Sequence, residues 1–251
     1  MDYFFYVYIF ALGLILGSFY NVVGIRVPNK ESLLGRSSCP HCSRQLTALD
    51  LIPFFGYIFL GGKCKSCKRP ISIKYPLMEL LTGLLFLVSF VIYRDNMIEY
   101  IVIVIFVSLM VIVSVSDLYY KIVPDIILLI FFPALVILRI YSPIEHWYDG
   151  LIGGMLGFSF MYVIGIYGKK MFKKEALGGG DIKLYFLVGL FLGYQNVFLS
   201  LFFAAFAGLV HAIVTGNRER MVPFVPFIFF GSMVAYFVGD ILVDWYVGLF
   251  I

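Results

Sequence analysis

Two aspartates, Asp117 and Asp181, are the residues of this sequence best placed to do acid–base chemistry. Each lies where a long apolar run meets a polar segment, and Asp181 directly follows Gly178–Gly180. Carboxylates at the margin of a membrane-spanning segment are costly and often functional. Two neighbouring carboxylates cannot both ionise easily, so one keeps its proton while the other accepts a proton from water. Such a pair can hydrolyse a peptide bond without a covalent intermediate.

Simpler interpretations of these aspartates compete with the catalytic one. An aspartate at a helix end is commonly a cap, and Asp125, which follows Pro124, is expected to be one. Gly178, Gly179 and Gly180 could let a substrate strand approach the backbone, or could only serve packing or hinge motion. Two aspartates that the orientation derived below places at the same depth in the membrane, one of them directly after three glycines, favour the catalytic interpretation.

The four cysteines form two Cys-x-x-Cys pairs within one polar stretch, at Cys39, Cys42, Cys64 and Cys67. Two such pairs can supply the four thiolates of a closed tetrahedral Zn²⁺ site, which is the structural kind. Two disulfides or four unrelated thiols are the alternatives. A cytoplasmic location would argue against disulfides because that compartment is reducing. We therefore predict a structural zinc site.

The composition indicates that most of the apolar surface of the chain faces lipid. Of its 251 residues, 62% are hydrophobic and 14% charged, whereas soluble domains carry about 25% charged residues. A span needs about 20 mostly apolar residues. Seven long apolar runs are present, and the longest has a polar break at 193–196, which predicts about eight transmembrane helices; the runs are 4–25, 75–93, 100–116, 126–144, 150–168, 184–216 and 221–239.

This pattern predicts an all-α polytopic membrane protein with three parts. Residues 1–25 form a first transmembrane helix, 26–74 a cytoplasmic zinc-binding loop, and 75–251 a seven-helix membrane domain that carries both aspartates. The first span is expected to be an uncleaved anchor, because no basic flank precedes it and no small-residue cleavage site follows it.

The basic residues predict the orientation. If residues 26–74 and the loops near 117–124, 169–183 and 216–220 are cytoplasmic, only Arg94 and Arg139 of the 19 Lys and Arg residues lie outside, as the positive-inside rule requires. The N-terminus is then outside, and both aspartates lie at the cytoplasmic face. The net charge of +4 reflects this orientation beside a lipid bilayer, and no nucleic-acid partner is expected.

Taken together, these segments resemble the type IV prepilin peptidases. Gly178–Asp181 resembles the GxGD motif of intramembrane aspartyl proteases, and Asp117–Asp125 matches the D-x6-PD pattern of the prepilin-peptidase branch. The remaining segments are also similar to that family, in the same order; they are Gly17–Val22 with Arg26 and Pro28, the paired Cys-x-x-Cys stretch, and Ser72–Gly83.

The resemblance implies a bifunctional enzyme. Asp117 and Asp181 would be the catalytic pair that cleaves the leader of a type IV prepilin or pseudopilin at the cytoplasmic face. The new N-terminal residue would then be methylated with S-adenosylmethionine, an activity that accompanies the full cysteine stretch. Asn21, Arg26 and Glu79 are candidates for binding that cofactor.

Two other classes of protein fit the sequence less well. A transporter or channel would explain the spans and acidic residues, but it would leave the paired cysteines without a role. A membrane scaffold that recruits partners through a zinc loop would leave Asp117 and Asp181 without one.

Overall fold

The computed structural model describes residues 2–142, 144–172, 177–216 and 222–248. The predicted loops near 169–183 and 216–220, and the start of the predicted 221–239 span, lie partly outside these residues. Within them the chain is helical, with no strand beyond two isolated bridges. The helices are α1 Asp2–Arg26, α2 Phe55–Phe59, α3 Lys74–Tyr93, α4 Met97–Tyr120, α5 Asp125–Tyr141, α6 Asp149–Phe172, α7 Gly179–Thr215 and α8 Val225–Val247.

Six of the described helices are long and apolar enough to cross a membrane, namely α1, α3, α4, α6, α7 and α8. Helix α5, at 17 residues, has a similar apolar composition. Their exposed surfaces are rich in large apolar side chains, which a membrane would cover. The predicted all-α membrane architecture is therefore confirmed.

Helix α7 is a hairpin of two arms. Gly193 interrupts it with φ 76° and ψ 178°. A Cβ placed on Gly157 of α6 would lie 2.8 Å from the Tyr185 carbonyl oxygen and 3.0 Å from Val197 Cγ2. Twelve residues of straight helix would separate those two by about 18 Å, so the chain reverses near Gly193, as the polar break predicted. With α5 and the two arms counted separately, the described membrane part has eight long helical segments.

The chain divides into two compact units, Met1–Val115 and Ser116–Ile251. In the first, α1 packs closely against α3 because Gly13 faces Gly83, and Gly17 faces the Glu79 backbone. Small residues allow this close approach of helices in membranes. The Tyr20 hydroxyl, 2.7 Å from Ser108 Oγ, joins α1 to α4.

In the second unit, α6 and α7 pack backbone against backbone. Gly153 of α6 faces Gly189 of α7, and Gly231 of α8 lies against the backbone of Ser200. These glycines leave no room for a side chain, so they fix where both arms of α7 lie. This close packing positions the residues at the start of α7.

Candidate active site

Asp117 lies in the last turn of α4 and is 6% exposed. The helix ends just beyond it, where Lys121 adopts φ 56° and donates its N–H to the Asp117 carbonyl oxygen at 2.9 Å. The Asp117 carboxylate Oδ2 accepts the backbone N–H of Val225 at 2.9 Å. Val225 is the first residue of α8, and the first N–H groups of a helix have no acceptor within it. Asp117 therefore caps a helix distant in sequence.

Asp181 lies half-buried in the first turn of α7. Its backbone N–H donates to the Gly178 carbonyl oxygen at 3.1 Å. The carboxylates of Asp117 and Asp181 are close enough to interact electrostatically. Folding thus brings the two predicted aspartates together within the second unit, although 63 residues separate them along the chain.

The three glycines before Asp181 have different surroundings. A Cβ on Gly180 would lie 2.7 Å from Val123 Cβ, and one on Gly178 would lie 3.2 Å from Asp181 Oδ2. A Cβ on Gly179 would meet nothing within 4 Å. Gly180 therefore allows helix α7 to pack against the segment that follows Asp117, while only Gly179 faces open space of the kind an approaching substrate needs.

Asp125 and Lys183 form an ion pair between the starts of α5 and α7. Lys183 Nζ lies 2.9 Å from both carboxylate oxygens of Asp125. Asp125 is the acidic residue in the first turn of α5, as the sequence predicted, and Pro124 is the N-cap. The ion pair also joins the D-x6-PD segment to the GxGD segment. Both side chains are more than half exposed, so the pair is screened by solvent.

An apolar cavity of about 430 Å³ lies between α6 and the second arm of α7. Its walls come from the facing sides of α6 and of the second arm of α7. Leu177, which precedes Gly178, and Phe224, which precedes the Asp117-bound Val225, also line it. The cavity is lined by apolar side chains, and these two lining residues are close in sequence to the segments that position the aspartates, so it suits an apolar occupant.

The four cysteine Sγ atoms lie within 4.8 Å of one another in the first unit. Cys39 and Cys67 Sγ are 3.9 Å apart, as are Cys42 and Cys64 Sγ. Four sulfurs around one Zn²⁺ at about 2.3 Å are about 3.8 Å apart, whereas a disulfide would place two sulfurs at about 2 Å. All four thiols are free, so the cluster could hold a metal ion.

Each cysteine pair sits in the same kind of knuckle. The N–H groups of Cys39 and Cys64 donate to the carbonyls of Arg44 and Arg69, both at 2.9 Å. The chain turns back through a residue with positive φ directly after the second cysteine, at Ser43 and Lys68. The N–H groups of Cys67 and Ser66 lower the pKa of Cys64 to about 6. This favours the thiolate form that metals bind.

The three residues predicted to bind cofactor divide into two groups. Glu79 is buried and accepts the Phe54 N–H at 2.7 Å through Oε2. It also interacts with Asn21, whose Nδ2 donates to the Tyr75 carbonyl at 3.2 Å. Arg26 is directed elsewhere and donates from Nη1 to the carbonyls of Ser32, Leu33 and Gly35. Asn21 and Glu79 therefore form one polar cluster, while Arg26 orders the start of the loop.

Sequence reasoning missed the N–H donor of Val225. The type of a residue does not reveal whether its backbone N–H is a functional donor, because every residue except proline carries this group. Pro226, near the start of α8, marks a helix beginning, but it does not say which carboxylate lies there.

Comparison with known proteins agrees with these features. The family model described as the bacterial peptidase A24 N-terminal domain matches residues 11–93, and the type IV leader peptidase family model matches residues 104–213. A Bacillus subtilis (strain 168) protein named prepilin leader peptidase/N-methyltransferase is 39% identical over 95% of this chain and 96% of its own length. A protein of that name from Aeromonas hydrophila is 27% identical, over 97% and 94%.

An Escherichia coli O78:H11 protein named type 4 prepilin-like proteins leader peptide-processing enzyme is 30% identical over 88% of this chain and 89% of its own length. No solved structure shows a significant match. The two family models together cover most of the chain, and the B. subtilis protein aligns with nearly all of it. This chain belongs to the type IV leader peptidase family.

Proposed function

We propose that this protein cleaves the leader peptide of type IV prepilins or pseudopilins at the cytoplasmic face of the membrane and then N-methylates the new terminal residue. Membership of the type IV leader peptidase family supports the cleavage. The methylation is supported by relatives whose names include N-methyltransferase and that align along most of this chain. Asp117 and Asp181 are the proposed catalytic pair.

The observation that carries the proposal is the approach of the buried Asp117 carboxylate and the half-buried Asp181 carboxylate. Asp117 and Asp181 interact electrostatically, and the cavity reaches Leu177 and Phe224, which neighbour them in sequence. A prepilin presents a scissile bond where its leader meets an apolar helix. That helix would lie along the cavity and bring the bond to the carboxylates.

The surroundings of the two carboxylates suggest their roles. Asp117 accepts N–H groups from Val225 and Phe224, and donors of this kind stabilise the ionised form. Ionised Asp117 takes a proton from water, and the resulting hydroxide attacks the scissile carbonyl carbon. Protonated Asp181 gives its proton to the carbonyl oxygen. When the C–N bond breaks, Asp117 passes its proton to the leaving amine and Asp181 recovers its own.

Charge supports a cytoplasmic position for this site. Lys121 and Lys183 follow the two aspartates closely. Helix α6 ends at Lys169 and Lys170 in its last turn, and a Cβ on its Gly165 would lie 3.3 Å from Ile182 Cδ1 near the start of α7. Basic residues concentrate at cytoplasmic ends. The N-terminus is then outside, and residues 26–74 are cytoplasmic.

The cysteine cluster fits Zn²⁺, which Cys39, Cys42, Cys64 and Cys67 would hold in closed coordination. That ion would stabilise residues 26–74 and take no part in catalysis. For S-adenosylmethionine, which supplies an electrophilic methyl group when bound, Glu79 and Asn21 provide a carboxylate and an amide. These groups could bind its ribose hydroxyls or its amino group.

The pair is tested by replacing each aspartate with asparagine. Asp117→Asn and Asp181→Asn should each abolish leader cleavage of a coexpressed prepilin, because the two carboxylates act as a unit. Asp125→Asn is the matched control and should keep most activity. Mass spectrometry of the pilin N-terminus reports cleavage and methylation together. Full cleavage by either of the first two variants would refute the assignment.

A further inference from the structure

The segment between α5 and α6 carries a second cluster of metal-binding side chains, far along these helices from the aspartate pair. Glu145, His146 and Asp149 each offer one ligand atom, and these atoms lie within 4.8 Å of one another. Glu145 and His146 are exposed, whereas Asp149 is 2% exposed. The cluster plays no part in the proposed cleavage or methylation.

Only one of the two oxygens of the Asp149 carboxylate has hydrogen-bond partners. Its Oδ2 accepts the backbone N–H groups of Glu145 at 3.1 Å and of His146 at 2.6 Å. Its Oδ1 is buried and has no hydrogen-bond partner. Within the described part of the chain, the only Lys, Arg or His nitrogen at ion-pair distance from the Asp149 carboxylate is His146 Nδ1, 3.8 Å from Oδ2. A buried carboxylate oxygen without a partner is costly, so binding of a ligand at Oδ1 would be favoured.

A small cavity of about 10 Å³ lies against this carboxylate, lined by Glu145 and Asp149 and by the turn of α7 at Gly193 and Asn196. Asn196 is 6% exposed, and its Oδ1 is also buried without a hydrogen-bond partner. Its Nδ2 donates to Asp240 at 2.8 Å, which fixes the orientation of the amide. The cavity has room for one small occupant.

We propose that Glu145, His146 and Asp149 bind a divalent first-row transition-metal cation, with Asn196 completing the polar lining. One imidazole and two carboxylates suit Mn²⁺ or Zn²⁺. Ligands at about 2.1 Å from one ion are at most about 4.2 Å apart, and the 3.8 Å between His146 Nδ1 and Asp149 Oδ2 lies within that limit. Glu145 is exposed, so its side chain is free to rotate and bring its carboxylate to the same ion.

The ion binds where the segment before α6 meets the turn of α7. Gly193 is confined there, because a Cβ on it would lie 2.7 Å from Ile144 Cδ1. A cation bound by Asp149 and its neighbours adds a polar contact between the segment before α6 and the turn of α7, which apolar packing does not provide. Its role is to fix the α7 hairpin at the end opposite Asp181.

The test uses full-length protein in detergent with the metal at the cysteine cluster left in place. Mn²⁺ is titrated, and the fall of the free-ion electron paramagnetic resonance signal measures binding. Mn²⁺ prefers oxygen and imidazole ligands to thiolates, so the cysteines do not compete. Wild type should bind one equivalent. The double variant Glu145→Gln, His146→Ala should bind at least tenfold more weakly, while Asp95→Asn, which changes an exposed carboxylate elsewhere, should bind as wild type does.

The double variant alters exposed side chains and keeps the Asp149 bonds to backbone, so its fold is preserved; circular dichroism checks this. Two outcomes would overturn the proposal. Wild type could take up neither Mn²⁺ nor Zn²⁺ beyond the metal at the cysteines, which would mean that the cavity holds only water. Alternatively, the double variant could bind Mn²⁺ with wild-type affinity. Leader cleavage is not the readout, so failure here leaves the proposed function untouched.

Discussion

Replacing Gly180 with alanine should separate the two carboxylates proposed to be catalytic, Asp117 and Asp181, without removing either. The added Cβ would lie 2.7 Å from Val123 Cβ and 3.3 Å from Val123 Cγ2. Val123 is followed by Pro124, the N-cap of α5, which limits how far its backbone can move aside. The start of α7, which carries Asp181, must then shift.

The size of the shift sets the expected effect. Carbon atoms in ordinary contact are about 3.5 Å or more apart, so α7 and Val123 must separate by roughly 0.8 Å. A misplacement of about 1 Å at a reacting group can lower a rate about 100-fold. Some of the strain will relax through Val123, so we expect kcat/KM for leader cleavage to fall about 10- to 100-fold. Overpacking of this kind destabilises a protein by about 1–3 kcal/mol.

Gly179→Ala is the matched control, because a Cβ at that position meets nothing within 4 Å and alanine is the better helix former. Cleavage of a purified prepilin by each variant in detergent gives kcat/KM, and thermal unfolding gives stability. We expect Gly179→Ala to fold at least as well as wild type. If Gly180→Ala kept full activity, or if both variants lost activity equally, the packing argument would be wrong. Equal loss would mean that the glycines serve substrate approach.

Three further outcomes are expected. Asp125→Asn and Lys183→Met should each lower kcat/KM by less than about tenfold and stability by about 1 kcal/mol at most, because the pair is exposed. The double variant Cys39→Ser, Cys42→Ser should lose about one zinc per chain by metal analysis and expose residues 26–74 to proteolysis, yet keep cleavage activity. Glu79→Gln keeps an acceptor for the Phe54 N–H, so it should lower methylation of the pilin N-terminus more than cleavage, as mass spectrometry can measure.

Each of these predictions has an outcome that would contradict it. Loss of cleavage in Asp125→Asn as complete as in Asp181→Asn would give Asp125 a chemical role. Wild-type protein purified without zinc would refute the metal assignment. Methylation is separable from cleavage if the Asp181→Asn protein, given a pre-cleaved pilin and S-adenosylmethionine, still forms methylated product. A folded, cofactor-binding Asp181→Asn protein that cannot methylate would show that one shared site performs both reactions.

Much of the membrane architecture could be predicted from the sequence because its signals are local. The length and hydropathy of each run predicted the long helical segments, and the polar break near Gly193 predicted the reversal within α7. The spacing of the cysteines predicted a four-sulfur cluster, and the structure brings the sulfurs to metal-binding distances. The division at residues 25 and 74 and the membrane orientation remain predictions.

The resemblance in motifs identified the family, which the comparisons confirmed. It also selected Asp117 and Asp181, because residue type and spacing survive in a sequence without knowledge of the fold. Asp125 lies in the first turn of α5, as the sequence predicted, and its carboxylate also pairs with Lys183. That partner lies 58 residues away, and nothing in the local sequence specifies it.

The sequence by itself determined which segments are long and apolar enough to span a membrane and which side chains are available for chemistry. Only the tertiary structure decided that Val225 donates its N–H to Asp117, that Gly180 is packed while Gly179 is open, and that Asp149 keeps an unpaired oxygen in a cavity. The physical reason is that hydropathy and spacing are properties of short segments. Backbone donors, steric contacts and unsatisfied polar atoms depend on which distant segments pack together.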